Sequence, residues 1–241
     1  MGTMVSLFVP DGGASSATVD AAFAWLHEVD RRFSPFLADS EVGRLMRGEL
    51  RPDGPSDDLA EVLDIARSVE LLSDGAFDIC GHRPDRAPDP TGLVKGWSVD
   101  RAAGILQDGG IGRFYLDAGG DVVVRGGQAD DRPWRIGVAH PGETRSTALV
   151  LLADDLAVAT SGSAERGQHI TDPRSGEAAD GLLAVTVVGP ELGRADAYAT
   201  AAFAMGLEGV GWMEALPAYA AVGITHGFEL ISTPGLQRYR G

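Results

Sequence analysis

Hydrophobic and polar positions change period several times along this chain. From Thr3 to Val9 they alternate, the pattern of a half-buried strand. From Thr18 to Arg32 the spacing turns helical, with Val19, Ala22, Phe23, Leu26 and Val29 on one stripe. A second helical stripe, Leu59, Val62, Leu63, Ala66, Val69 and Leu72, follows Ser56, which reads as an N-cap with Asp57 and Asp58 in the first turn. A third helix is predicted from about Trp97 to Gln107, stopping at Gly109-Gly110. Strand patterns then dominate: Phe114–Asp117, Val122–Arg125, Trp134–Val138, Ala148–Leu152, Leu156–Thr160 and Leu183–Val188. A helix over Ala195–Met205 follows, then another near Val210–Ala215 and short strands at Ala220–Thr225 and Phe228–Ile231. Helices early, strands in the middle and a helix late do not make regular βαβ alternation. The pattern predicts an α+β fold, with helices packed on a largely antiparallel sheet. No repeat, low-complexity tract or linker divides the 241 residues, which read as a single domain.

Composition narrows the function classes. Hydrophobic residues make up 44%, enough for a sizeable core, and the 23% of charged residues argues against disorder. The net charge of −15 opposes nonspecific binding to nucleic acid and to anionic membranes. It does not oppose a divalent cation, nor an anion that a cation neutralises. One cysteine, Cys80, excludes an intramolecular disulfide framework and any multi-cysteine metal site. No apolar run reaches the roughly 18–20 residues of a membrane span. Met1-Gly2-Thr3 leads straight into the first strand with no secretory pattern, which points to a cytoplasmic protein. A trimmed native N-terminus leaves an extracytoplasmic location open. Neither a Rossmann glycine fingerprint nor a Walker A sequence is present.

Five polar segments are candidates for chemistry, and each has a plain structural alternative. Ser73-Asp74-Gly75-Ala76-Phe77-Asp78 offers backbone amides and a carboxylate beside an aromatic ring, or is a helix-ending turn with Phe77 in the core. Asp89-Pro90-Thr91-Gly92-Leu93-Val94-Lys95-Gly96 sets the chain's only lysine between glycines just before the expected third helix. That arrangement suits an anionic ligand, phosphate above all, or is an ordinary helix start. Asp117-Ala118-Gly119-Gly120-Asp121 is either a hairpin turn or a loop that lets backbone approach a ligand. The stretch from Thr160 to Gly176 is the densest in polar groups. Its His169 is the one histidine of five set among hydroxyls, carboxylates and arginines, and suits proton transfer, phosphate binding or a loop hydrogen bond. Asp196 and Thr200, four apart, share a helix face. Their hard oxygens suit Mg²⁺ or Ca²⁺, although an N-cap with a helix threonine reads equally well.

The order of these segments is more specific than any one of them. Met1-Gly2-Thr3, Arg32-Phe33-Ser34, Asp39-Ser40-Glu41, Asp74-Gly75-Ala76-Phe77-Asp78, Lys95-Gly96, Val99-Asp100-Arg101-Ala102-Ala103, Ala118-Gly119-Gly120-Asp121, Thr160-Ser161-Gly162, Glu165-Arg166-Gly167, His169-Ile170, Asp172-Pro173-Arg174 and Ala195-Asp196-Ala197 with Thr200-Ala201 closely resemble the ApbE family, the FAD:protein FMN transferases. The resemblance runs over essentially the whole chain. It implies a T-fold-like α+β core and a Mg²⁺-dependent transfer of FMN from FAD to a threonine or serine hydroxyl of an acceptor protein, releasing AMP. Hydrolysis of FAD to FMN and AMP, or FAD binding without catalysis, are the alternatives it leaves.

By the same resemblance, Met1, Phe36, Ala76, Phe77, Asp78, Asp89, Lys95 and Thr171 contact FAD. Gly92 offers a backbone carbonyl to the metal, Asp196 and Thr200 are its side-chain ligands, and His169 is the active-site histidine. Phe36 stands where relatives often carry a tyrosine, Asp117 where an asparagine is common and Ala164 where a tyrosine is common. The segment between Asp78 and Asp89 is shorter than in many relatives, as in a compact branch of the family.

Overall fold

The computed structural model describes residues 3–240 except 11, 13–14, 50–53, 81–87, 129, 131, 144 and 164–169. In chain order the elements are β1 (Val5–Phe8), α1 (Ser16–Arg32), α2 (Glu41–Met46), α3 (Asp57–Leu72), α4 (Thr91–Asp108), β2 (Phe114–Ala118), β3 (Asp121–Arg125), β4 (Trp134–Ala139), β5 (Thr147–Ala153), β6 (Leu156–Gly162), β7 (Ala184–Gly189), α5 (Leu192–Met205), α6 (Leu207–Trp212), β8 (Ala220–Ile224) and β9 (Leu230–Ser232). Short 3-10 turns follow α6 and β9. Seven strands form one sheet in the order β1-β2-β3-β6-β7-β8-β9, and every pairing is antiparallel. The remaining two, β4 and β5, make a separate hairpin. The expected α+β class and antiparallel sheet are therefore both present.

Period-two alternation sorts the sheet's side chains into two cores. Val123, Ala157, Ala159, Val185, Val187 and Ala221 face the helices. Val122, Val124, Val158, Val188 and Val222 face the β4–β5 hairpin, where they meet Trp134, Ile136, Val138 and Leu151. With both faces covered, β3, β7 and β8 bury nearly every residue and read as continuous apolar runs. The α1 stripe behaves as expected, with Ala22, Leu26 and Val29 buried and Val19 and Phe23 packed against them. The α3 stripe does so except at Leu72, which is 48% exposed at the helix end. Ser56 caps α3 by accepting the Leu59 amide. Its hydroxyl also takes part in a cluster in which Arg32 reaches Asp58 at 2.7 Å and Glu41 at 3.4 Å. The Arg32 and Glu41 segments thus tie α1, α2 and α3 together. Helix α2 is too short for periodicity to reveal; Ser40 caps it by accepting the Gly43 amide at 2.8 Å.

Two helix starts correct the sequence reading, and both matter for the site. Helix α4 begins at Thr91, not near Trp97, because Asp89 Oδ1 accepts from both the Thr91 amide and the Thr91 hydroxyl. Two glycines of low helix propensity had hidden this first turn. Lys95 and Gly92 therefore lie inside the helix, not ahead of it. Helix α5 begins at Leu192, and Asp196 is in its second turn rather than at its N-cap. No side chain of its own caps α5. Instead Asp100 of α4 reaches across, its two oxygens accepting the Leu192 and Gly193 amides at 2.8 Å each. The two helices touch through glycine, since a Cβ on Gly96 would lie 2.8 Å from Gly193 Cα. Among the described residues, no helix is long and apolar enough to cross a membrane.

Both contacts are testable. Gly96→Ala forces the α4–α5 crossing apart and is expected to cost about 1–3 kcal/mol in urea denaturation. Burial raises the Asp100 carboxyl from 3.8 to about 6, against the opposing pull of its two amide donors. The folded protein then holds a proton that the unfolded chain has released. Stability therefore falls as pH rises from 3.8 to about 6, by at most about 3 kcal/mol. Asp100→Asn cannot ionise, so its stability deficit relative to wild type is expected to narrow across that interval.

Candidate active site

One cleft of about 1520 Å³ runs between the helical layer, the sheet and the β4–β5 hairpin. Phe36, Ala76, Phe77, Asp78, Asp89, Gly92, Lys95, Thr171, Asp196 and Thr200 all line it. Ten of the twelve residues singled out from the sequence thus converge, although they lie up to 164 positions apart. The other two, Met1 and His169, fall outside the described residues.

Local chemistry explains how each wall forms. After α3 the chain turns at Asp74-Gly75, both at positive φ, and Ser73 Oγ accepts the Phe77 amide at 3.1 Å. Both readings of this segment hold: Phe77 is a buried core residue and also lines the cleft. Asp78 Oδ1 accepts the Cys80 amide, and the Asp89 amide donates to Ile79 O at 2.8 Å, which sets Asp78 and Asp89 close together. A small hairpin, with Thr171 bridged to Ala178, presents Thr171 and Pro173 on another side. Phe36 is 93% exposed at the rim. The tip of the β4–β5 hairpin closes the far side, where His140 stacks on Phe228 with ring centroids 4.8 Å apart.

At the centre lies a residue that sequence reasoning left without a role. Gly119 and Gly120, at φ of 66° and 92°, form a two-residue turn between β2 and β3. The turn delivers Asp121, whose side chain is 4% exposed, into the cleft. Asp121 Oδ2 pairs with the Lys95 ammonium, and Asp121 Oδ1 accepts the Thr160 amide at 3.1 Å. Lys95 Nζ also stands 3.4 Å from Asp196 Oδ2. Burial works to lower the Lys95 pKa, but the Asp196 and Asp121 carboxylates outweigh it and hold the ammonium above its usual range. Ser161 Oγ lies 3.1 Å from Thr200 Oγ1, tying α5 to the end of β6. The signal for Asp121 in the sequence was a charged residue opening an otherwise all-valine strand.

The donors fit a hard divalent cation. Asp196 and Thr200 present a carboxylate and a hydroxyl from one face of α5, and Gly92 exposes bare backbone to the same cleft. All are oxygen donors. Among the described residues no three His, Cys, Asp or Glu side chains gather into a metal-binding group, so a soft-metal site of that kind is not formed there.

A profile of the ApbE family matches residues 1–87 and 82–222. The chain belongs to the ApbE family. The FAD:protein FMN transferase of Vibrio cholerae is 31% identical to it over 195 residues, covering 75% of this chain and 58% of that relative. The FAD:protein FMN transferase of Klebsiella pneumoniae is 27% identical over 170 residues, covering 65% and 48%. This member of the ApbE family therefore spans about half the length of those curated relatives. The solved structure of the flavin transferase ApbE from Vibrio cholerae superposes with a TM-score of 0.87 at 24% identity, covering 99% of this chain and 96% of that one. The ApbE protein of Thermotoga maritima gives 0.82 at 21% identity, covering 98% and 94%. These likenesses establish the ApbE fold.

Asp121 anchors both Lys95 and β6, so its loss leaves a buried ammonium without its partner. Asp121→Ala is expected to destabilise the protein by about 3–5 kcal/mol. Asp121→Asn, whose carbonyl oxygen still accepts the Thr160 amide, is expected to cost less. Urea denaturation of the two variants checks the order.

Proposed function

We propose that residues 1–241 act as one flavin transferase domain that moves FMN from FAD onto a threonine or serine hydroxyl of an acceptor protein, releasing AMP. The observation that carries this reading is the convergence of Ala76, Phe77, Asp78, Asp89 and Lys95 with the oxygen donors Asp196, Thr200 and Gly92 in one cleft. Membership in the ApbE family supports it.

The roles follow from the geometry. Phe77 and Ala76 supply an apolar wall for a planar ring, and Asp78 and Asp89 supply acceptors for ligand N–H and O–H groups. Asp196, Thr200 and the Gly92 carbonyl would hold Mg²⁺, which when bound supplies charge withdrawal from a diphosphate. Lys95, in the same cleft, adds positive charge near it. The acceptor hydroxyl forms an O–P bond to the FMN-side phosphorus as the bridging P–O bond to AMP breaks. His169 takes the hydroxyl proton. Most of the rate in such a transfer comes from positioning and charge stabilisation.

Incubation with FAD, Mg²⁺ and a threonine-bearing acceptor should yield AMP and a covalently flavinylated acceptor, read by mass. Asp196→Ala should lower turnover at least about a hundredfold, and His169→Ala by about 10²–10⁴-fold. Free FMN formed at the same rate without acceptor would instead identify an FAD hydrolase. FAD recovered intact from all mixtures would leave only a flavin-binding protein.

A further inference from the structure

Lys95 holds a position that its expected contact with a diphosphate does not require. Its ammonium hydrogen-bonds Asp121 and stands 3.4 Å from Asp196, so one monovalent cation balances two carboxylates whose side chains are 4% and 10% exposed. The pocket so made carries an excess negative charge in a low-dielectric setting, and a divalent ion compensates it better than an ammonium does. Neither carboxylate needs Lys95 to stay in place. Asp121 remains fixed by β3 and by the Thr160 amide, and Asp196 by the second turn of α5. Lys95 itself is mobile in principle: a four-carbon stem, 24% exposed, opening on the cleft.

We propose that Lys95 is the built-in stand-in cation of this site, held between Asp121 and Asp196 until a divalent ion displaces it, with Asp121 serving the ion beside Asp196. The inference rests on the metal reading given above and deepens it. While paired with two carboxylates, the ammonium has little charge to offer a phosphate. Once displaced into the cleft, it carries a full charge toward an anionic ligand. Metal and diphosphate binding then strengthen each other, and the coupling is reciprocal by linkage.

Lys95 is the only lysine in the chain, so one side-chain amine reports the exchange. Acylation of that amine by a reactive ester, followed by peptide mass in wild-type protein, is expected to speed up when Mg²⁺ alone is added. Calorimetry with Mg²⁺ and no FAD should show Lys95→Met binding the ion at least about tenfold more tightly than wild type, because the competing cation is gone. Acylation that is unchanged or slowed by Mg²⁺ that calorimetry shows to bind overturns the exchange and leaves the metal site standing. Equal or weaker Mg²⁺ binding by a folded Lys95→Met does the same. Absence of Mg²⁺ binding in both proteins, with and without FAD, overturns the metal reading and the exchange together. If Lys95→Met fails to fold, the wild-type acylation decides alone.

Discussion

Everything in the cleft depends on how closely α4 and α5 cross. Gly96 and Gly193 meet with no room for a methyl group, and Asp100 of α4 caps the first turn of α5. Those contacts set the two helices in register. Gly92 and Lys95 lie up to one turn before the crossing on one helix, and Asp196 and Thr200 lie one and two turns after it on the other. A looser crossing would separate the cation of one helix from the carboxylate of the other. The burial that raises the Asp100 carboxyl to about 6 is a cost the fold bears for that cap.

The sheet supplies the third side of the same arrangement. Strands β3 and β6 pair so that Asp121 accepts the Thr160 amide, and Ser161 one residue on meets Thr200. A protein with a net charge of −15 thereby concentrates its single lysine where two of its carboxylates converge. Acid surplus and cation site are parts of one design: the surface repels polyanions, while the cleft pairs an ammonium with buried acid and offers hard oxygens to a metal.

Periodicity made the strands and most helices legible, because burial on one or two faces imposes a repeat that survives in the residue order. Its failures have physical causes. The first turn of α4 was hidden by Gly92 and Gly96, poor helix formers that are tolerated because α5 needs the space at Gly96 and because Asp89 caps the turn. The six residues of α2 give too few turns for a stripe. Leu72 continues the α3 pattern, yet the helix ends beyond the reach of the core.

Residue order alone determined the fold class, the helix faces and which segments carry polar chemistry, since these follow from local periodicity and from residue type. It also left several segments with two readings each. Tertiary structure decided that both readings hold at Phe77, and at Gly119-Gly120, where a plain hairpin turn delivers Asp121 to the cleft. It alone decided that Asp121, Lys95 and Asp196, spread over 75 residues on a strand and two helices, share one charged centre. The reason is that charge pairing acts through space: Coulomb attraction across about 3–4 Å leaves no repeat in a sequence.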